Sequence, residues 1–339
     1  MSDVPTDFDA YIGADTGPFR AWDAVNAPMI RHWCEALDDS CPIYTDPDAA
    51  RAQGFAGIVA PPTMLQAWTM DGYAGRRAPG SDASDPMAVL PVLEAAGYPG
   101  VVAVNCEQEY PRYLEVGEEI YHRSTIESIS AEKTTALGVG YFVTQLCTYF
   151  NEHEEMVGSM RFRVFKYRPA RRDPAPQTAG TGAAEVRREA DAQPEPSTAE
   201  RAAVQKPPPI NELFVGDLLP ELVIPITTRL IVGGAIASRD YQDVHHDKGA
   251  AQALGSPDIF MNILTTNGLV GRFVTDWAGP GANLKRVAIR LGAPNFPGDS
   301  MTLGGKVSAL VKDRREVELE ISGRNGLGEH VSGTVQLVL

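Results

Sequence analysis

Ser238-Arg239-Asp240-Tyr241-Gln242-Asp243-Val244-His245-His246-Asp247 follows the apolar run Ile231 to Ala237 and sets a carboxylate and an imidazole five residues apart. Leu37-Asp38-Asp39-Ser40-Cys41-Pro42-Ile43-Tyr44-Thr45-Asp46 repeats the layout, with Tyr44 where His245 stands. Two copies of one module are expected, one chemically armed and one not. A repeat of this size means that the fold is read unit by unit.

Working outward, each half shows a similar order. A helical segment carrying the signature comes first, a second helical segment follows, and strands run to the end of the half. Val101 to Cys106 leads to Tyr113 to Glu118, and Val287 to Leu291 leads to Asn295 to Asp299. Apolar residues alternate in Val307 to Val311 and Val317 to Ile321, the period of a strand with one buried face. Asn151 to Phe165 also echoes Asn325 to Leu339. Helix first and antiparallel strands after predict an α+β fold, a long helix wrapped by a sheet in each half.

Between the halves, residues 169–209 hold prolines, Gly, Ala and Thr and almost no large apolar side chains, so they cannot repay the entropy of ordering. They read as a flexible linker, with a short helix around Ala183 to Ala192, joining domains 1–168 and 210–339. Within the first domain, Asp71 to Gly97 has no clear counterpart in the second. It is rich in Gly, Pro, Asp and Ser and reads as a long loop, of the kind that usually carries function.

The chain has 339 residues, 43% apolar and 22% charged, enough to bury ordinary cores. A net charge of −14 argues against nucleic acid as partner, since phosphates would be repelled. Cys34, Cys41, Cys106 and Cys147 form no C-x-x-C pair, which argues against a zinc ribbon. The first residues lack a signal peptide's basic start and apolar run, and no stretch is long enough to cross a bilayer. A soluble cytoplasmic protein with reduced, mostly buried thiols is expected.

Asp240 and His245 can share one water. The carboxylate accepts one of its protons, and the imidazole takes or gives the other near neutral pH. Such a pair suits addition of water to an activated double bond, or its removal; the bland alternative is a capping Asp and a surface His. Metal binding by His245-His246 is disfavoured because neighbouring side chains diverge and no H-x-x-x-H lies near. The His246-Asp247 doublet of HD-type phosphohydrolases belongs to an all-helical domain, and this half is strand-rich. Downstream, Gly255 to Asn267 reads as a turn feeding an apolar helix, whose first free amides can hold an oxyanion. The counterpart, Gly57 to Met64, places Pro61 and Pro62 there, and neither has an N–H.

These residues resemble the G-D-x-N-P-x-H pattern of MaoC-like (R)-specific enoyl-CoA hydratases, which have the hotdog fold. Asp240 and His245 fall on its Asp and His; Arg239, Gln242 and Asp243 replace its Gly, Asn and Pro. Arg239 to Asp247, Asp258 to Leu264 and Val274 to Pro280 are similar to the catalytic subunit of the steroid enoyl-CoA hydratases that act on cholesterol and bile-acid side chains. Gly57 to Pro62 and Asn105 to Gln108 are similar to the degenerate partner subunit. The resemblance implies a double hotdog, degenerate half first, and a hydro-lyase that adds water to an α,β-unsaturated acyl-CoA. It implies catalytic roles for Asp240 and His245, with Asn267 helping to position the carboxylate, and an oxyanion site at the amide of Met261 or Asn262. A shortened helix in the degenerate half would admit a steroid, with Trp68, Met70, Tyr73 and Leu90 as wall residues. Lys285, Arg286 and Arg290 are candidates for the CoA phosphates. No resident cofactor or metal is implied, coenzyme A being part of the substrate.

Pairing of two such chains into a homodimer is expected. In the split form of these enzymes the degenerate subunit often carries a zinc-ribbon/OB extension that docks a thiolase-like aldolase. This chain has the proline-rich linker there and no C-x-x-C, which argues against direct docking of an aldolase, while a downstream aldolase or dehydrogenase stays a candidate partner. Rival readings are a straight-chain (R)-hydratase or 3-hydroxyacyl dehydratase, a non-catalytic acyl-CoA binder, and a hotdog thioesterase.

Overall fold

The computed structural model describes residues 8–170 and 209–339. The expected helix at Ala183 to Ala192 lies outside them.

In the N-terminal half, β1 (Asp15–Arg20) precedes α1 (Ala27–Leu37) and α2 (Pro47–Ala52). A 3-10 helix (Pro62–Thr69) and α3 (Val89–Ala95) follow, then β2 (Gly100–Glu109), β3 (Tyr121–Ile129), β4 (Lys133–Thr134), β5 (Gly138–Phe150) and β6 (Met156–Pro169). The C-terminal half runs β7 (Leu218–Ile226), α4 (Thr228–Ala237), α5 (Lys248–Ala253), α6 (Ile263–Ala278), β8 (Asn283–Leu291), β9 (Asp299–Val311), β10 (Glu316–Asn325) and β11 (Gly328–Val338). The strands form one antiparallel sheet in the order β1-β3-β5-β6-β2-β8-β11-β10-β9-β7, with β4 beside β5. From either end the order is edge strand, three strands, then the strand that meets the other half. β2 and β8 close that seam, Glu107 opposite Ala288. The two halves are thus one continuous double hotdog.

Two expectations are corrected. A strand precedes the first α-helix of each half. Gly17-Pro18 sits in β1, and Pro220 and Pro225 in β7; these residues argue against a central strand. Both strands lie at the outer edges of the sheet, where a missing N–H costs no ladder bond. The predicted loop from Asp71 to Gly97 contains α3, whose Val89 and Leu93 are fully buried on the sheet.

The helices form because caps and apolar spacing agree. Asn26 accepts from the amide of Met29 and Thr227 from that of Leu230, both at 3.0 Å. Ile30, Trp33, Cys34 and Leu37 then fall on one face of α1 and are buried. The halves interlock at α6. A Cβ on Gly268 would strike Leu37 and Trp33 of α1, and one on Gly271 would lie 2.9 Å from Thr63. Glycine at these two turns lets the N-terminal half reach the backbone of the other half's central helix.

The difference between the halves lies in that helix. α6 is a 16-residue helix, whereas its counterpart is a 3-10 helix of 8 residues ending at Thr69. Tyr141, Val143, Gln145, Cys147 and Tyr149 alternate onto one face of β5. Cys147 and Tyr149 join the main core, while Tyr141 and Val143 join a separate cluster under α3. Between them Gln145 is buried and donates to Ser124 Oγ at 2.7 Å. The core of this half is therefore split by a polar strip.

All four cysteines are unpaired and buried. Among the described residues, no helix is long and apolar enough to cross a membrane.

Candidate active site

α4 ends at Ala237, and the chain turns through Arg239 at φ +59°, in the left-handed region. Glycine is favoured at such a corner, and the resembling motif has Gly there; Arg239 makes the turn without it. The turn brings Asp240 back toward its own helix, its amide donating to the Ala235 carbonyl at 2.9 Å. A short 3-10 helix (Asp243–His245) then presents His245.

Asp240 and His245 are both buried, and Asp240 Oδ2 lies 3.5 Å from His245 Nε2. His245 Nδ1 is 2.7 Å from the Phe260 carbonyl oxygen. A carbonyl only accepts, so Nδ1 carries a proton, and Nε2 is the ring nitrogen turned toward Asp240. The Phe260 ring stands edge-on at 5.1 Å and holds the imidazole plane. On the carboxylate's other oxygen, the Gln242 amide approaches Oδ1 at 3.4 Å.

The third member is Asn262, the N-cap of α6. Its Oδ1 accepts from the Thr265 amide at 2.8 Å, and its Nδ2 donates to Asp240 Oδ2 at 3.0 Å and to Ser238 Oγ at 2.9 Å. Asn267, expected to steady the carboxylate, turns elsewhere: its Nδ2 donates to Gln108 Oε1 at 2.9 Å, across to β2 of the other half. The hydrogen bond expected of it comes from a residue five positions earlier, because Asn262 and not Asn267 faces the turn of Asp240. Gln108 Oε1 also accepts from Tyr110 Oη at 2.7 Å. Asn267 Oδ1 is buried and has no protein partner.

The oxyanion assignment is corrected in part. The Met261 amide donates to the Asn295 carbonyl at 3.1 Å and is not free. The described residues supply no acceptor for the amides of Asn262, Ile263 and Leu264. These open the first turn of α6, where unpaired N–H groups and the helix dipole favour negative charge. In the other half Pro61 is the cap and Pro62 the first residue of the 3-10 helix, so two donors are missing.

The other candidates are dispersed. Trp68 is buried in the main core, and Met70 is half-buried beside Gln66. Tyr73 is 83% exposed and meets Tyr241 edge-on at 5.6 Å, so it borders the signature turn rather than walling a buried pocket. Leu90 packs into the separate cluster under α3. Lys285 donates to the Pro111 carbonyl at 3.2 Å, Arg286 is paired with Glu107 at 2.9 Å, and Arg290 is exposed without an ion pair among the described residues.

Fold and pair together define a double hotdog with an Asp–His pair in one half. Residues 10–160 match the family model described as FAS1-like, dehydratase domain region. The chain is 51% identical over 123 residues to the 3-oxo-4,17-pregnadiene-20-carboxyl-CoA hydratase beta subunit of Mycobacterium tuberculosis, covering 36% of this chain and 94% of that one. It is 46% identical over 153 residues to the alpha subunit of the same hydratase, covering 45% of this chain and 48% of that one. A probable enoyl-CoA hydratase alpha subunit of Thermomonospora curvata is 44% identical over 169 residues, 50% of this chain and 53% of that relative. The chain thus spans about half the length of the alpha-subunit relatives. A solved MaoC-like dehydratase superposes with a TM-score of 0.73 at 20% identity, over 98% of this chain and all of that one, which speaks for the fold alone. The chain belongs to the family of the Mycobacterium tuberculosis hydratase's beta subunit, of which it covers 94%.

Proposed function

We propose that this protein adds water across the α,β double bond of an acyl-CoA thioester, and that its substrates carry a steroid side chain. The observation that carries the reading is the 3.5 Å gap between Asp240 Oδ2 and His245 Nε2, which we read as two acceptors. Two acceptors that face each other need a shared donor, and water supplies one proton to each. As the water oxygen attacks Cβ, its proton passes to His245 Nε2 and the hydroxyl stays on carbon. A proton delivered from the pair to Cα completes the addition, so one water is consumed and no cofactor takes part. The electrons pushed onto the thioester oxygen meet the unengaged amides at the first turn of α6, an interaction worth roughly 3–4 kcal/mol per donor in other enzymes.

The steroid assignment is supported by the substrate named for the two Mycobacterium tuberculosis relatives and by the N-terminal half. There the short 3-10 helix leaves part of the sheet to a polar strip and α3, where the C-terminal half has the long α6. The paired alpha and beta subunits of those relatives also support a single chain acting as both hotdogs, with further pairing of two chains into a dimer.

The test is direct. Purified protein given 3-oxo-4,17-pregnadiene-20-carboxyl-CoA is expected to add one water in mass, with kcat/KM about tenfold or more above that for crotonyl-CoA. Preference for crotonyl-CoA would replace the steroid reading by a straight-chain one. Binding without turnover would make the protein an acyl-CoA binder, and release of free thiol a thioesterase.

A further inference from the structure

We propose that Asn262 is a positioning residue for Asp240, clamping the carboxylate to the first turn of α6 so that one oxygen is aimed at His245. The inference rests on the hydration reading for its kinetic consequence and on geometry alone for its structural one.

The side chain of Asn262 is 3% exposed, and each of its polar atoms is assigned. Oδ1 accepts from the Thr265 amide at 2.8 Å. A flipped amide would set its NH2 against that N–H, so the orientation is determined by the helix itself. Both Nδ2 protons are then directed, one to Asp240 Oδ2 and one to Ser238 Oγ. Ser238 accepts because its own hydroxyl proton goes to the Gly234 carbonyl at 2.7 Å, inside α4. The clamp therefore ties two helix ends together, the last turn of α4 through Ser238 and the first turn of α6 through Thr265. The Asp240 oxygen it holds is the one that faces His245 Nε2.

The other half supplies an independent observation. Its carboxylate, Asp39, also accepts an amide from the residue two ahead, Cys41, at 3.0 Å. Its cap is Pro61, which has no side-chain donor. Where the carboxylate has no imidazole to serve, the clamp is missing too.

Helix capping alone would also explain an asparagine here, and two variants separate the roles. N262G retains an acceptable N-cap and N262D an isosteric one, the glycine change costing only a few tenths of a kcal/mol. Neither gives Asp240 an amide donor. Both are expected to lower kcat about 10- to 100-fold, the order of loss for a misplaced catalytic group, with KM within about threefold. N262G should change the thermal midpoint little, whereas N262D sets a second buried carboxylate against Asp240 and should lower it. In a crystal structure of N262G, the Asp240 Oδ2 to His245 Nε2 distance should depart from 3.5 Å. Wild-type kcat in N262G, or an unchanged Asp240–His245 geometry, overturns the proposal. If the wild-type protein hydrates no thioester, the functional reading fails, and the geometry of N262G still decides whether Asn262 positions the carboxylate.

Discussion

The two halves make the same turn with opposite results. Asp38 and Arg239 are both left-handed, at φ +53° and +59°, and each is followed by a buried aspartate that accepts an amide two residues on. From there the halves diverge. Asp240 meets His245 and the Asn262 amide; Asp39 has Tyr44 and Pro61 at the matching places. Tyr44 is wholly buried, and burial drives its phenol well above the ordinary range, so it stays neutral and fills space. The comparison teaches that the backbone turn is retained for packing while the chemistry resides in the side chains hung on it. The corner even inverts its charge: Asp38 is paired with Arg272 of α6 at 3.1 Å, and Arg239 stands in the matching position of the other half.

The comparison breaks most sharply if the same change is made in both halves. Asp240→Asn is expected to lower the hydration rate by roughly 10²–10⁴, because the water loses one of its two acceptors. Asp39→Asn should leave that rate within about twofold, since Tyr44 and not an imidazole stands at the place of His245 in that half. Steady-state assays on the two purified variants check this. Equal losses would mean that both halves work and that the armed-and-disarmed description is wrong.

A second comparison concerns dependence. Gln108 of the N-terminal half and Asn267 of α6 are both about 1% exposed and hydrogen-bonded to each other. Gln108→Leu strands the Asn267 amide and the Tyr110 hydroxyl in the interior, at a cost of roughly 2–4 kcal/mol by denaturant unfolding. Gln108→Leu with Asn267→Leu should recover part of that, because one stranded donor is gone. No loss in the single variant would mean that the halves meet without relying on this bond.

The armed site was legible in the sequence because its key pair is local. Asp240 and His245 are five residues apart on one turn, and the echo in Asp39 and Tyr44 made the repeat readable. What was not legible depends on contacts between segments far apart in the chain. The Met261 amide is taken by the Asn295 carbonyl, a partner on a later loop. Motif resemblance points Asn267 to Asp240, whereas its amide bonds Gln108, a residue of the other half. The side chain of Asn262 carried no sequence signal apart from its place before an apolar helix, which suggests a cap and nothing more. β1 and β7 were hidden by their prolines, which only sheet-edge positions excuse. α3 was hidden by the Gly- and Pro-rich residues before it, although Val89 and Leu93 have the spacing of a buried helical face.

The smallest expected effect isolates what an idle carboxylate costs. Burial pushes Asp39 up to about 6, with Asp276 and Asp38 adding to the rise and the Cys41 amide and Arg272 opposing it. A carboxyl raised on folding binds its proton more tightly in the native state than in the unfolded chain. Its stabilising contribution is therefore complete below the ordinary carboxylate range and is lost as pH rises through about 6. Above that, the folded protein holds a buried charge that serves no reaction. Asp39→Asn keeps an oxygen for the Cys41 amide and removes the charge. It should stabilise the protein by on the order of 1–3 kcal/mol at pH 7.5, a rise of a few degrees in thermal midpoint. Near pH 4 the gain should vanish, because the wild-type carboxyl is then neutral as well. Thermal unfolding at the two pH values reads the difference. A gain that is the same at both would show that repacking, not charge, is responsible, and a loss at pH 7.5 would mean that Arg272 makes the charge worth keeping.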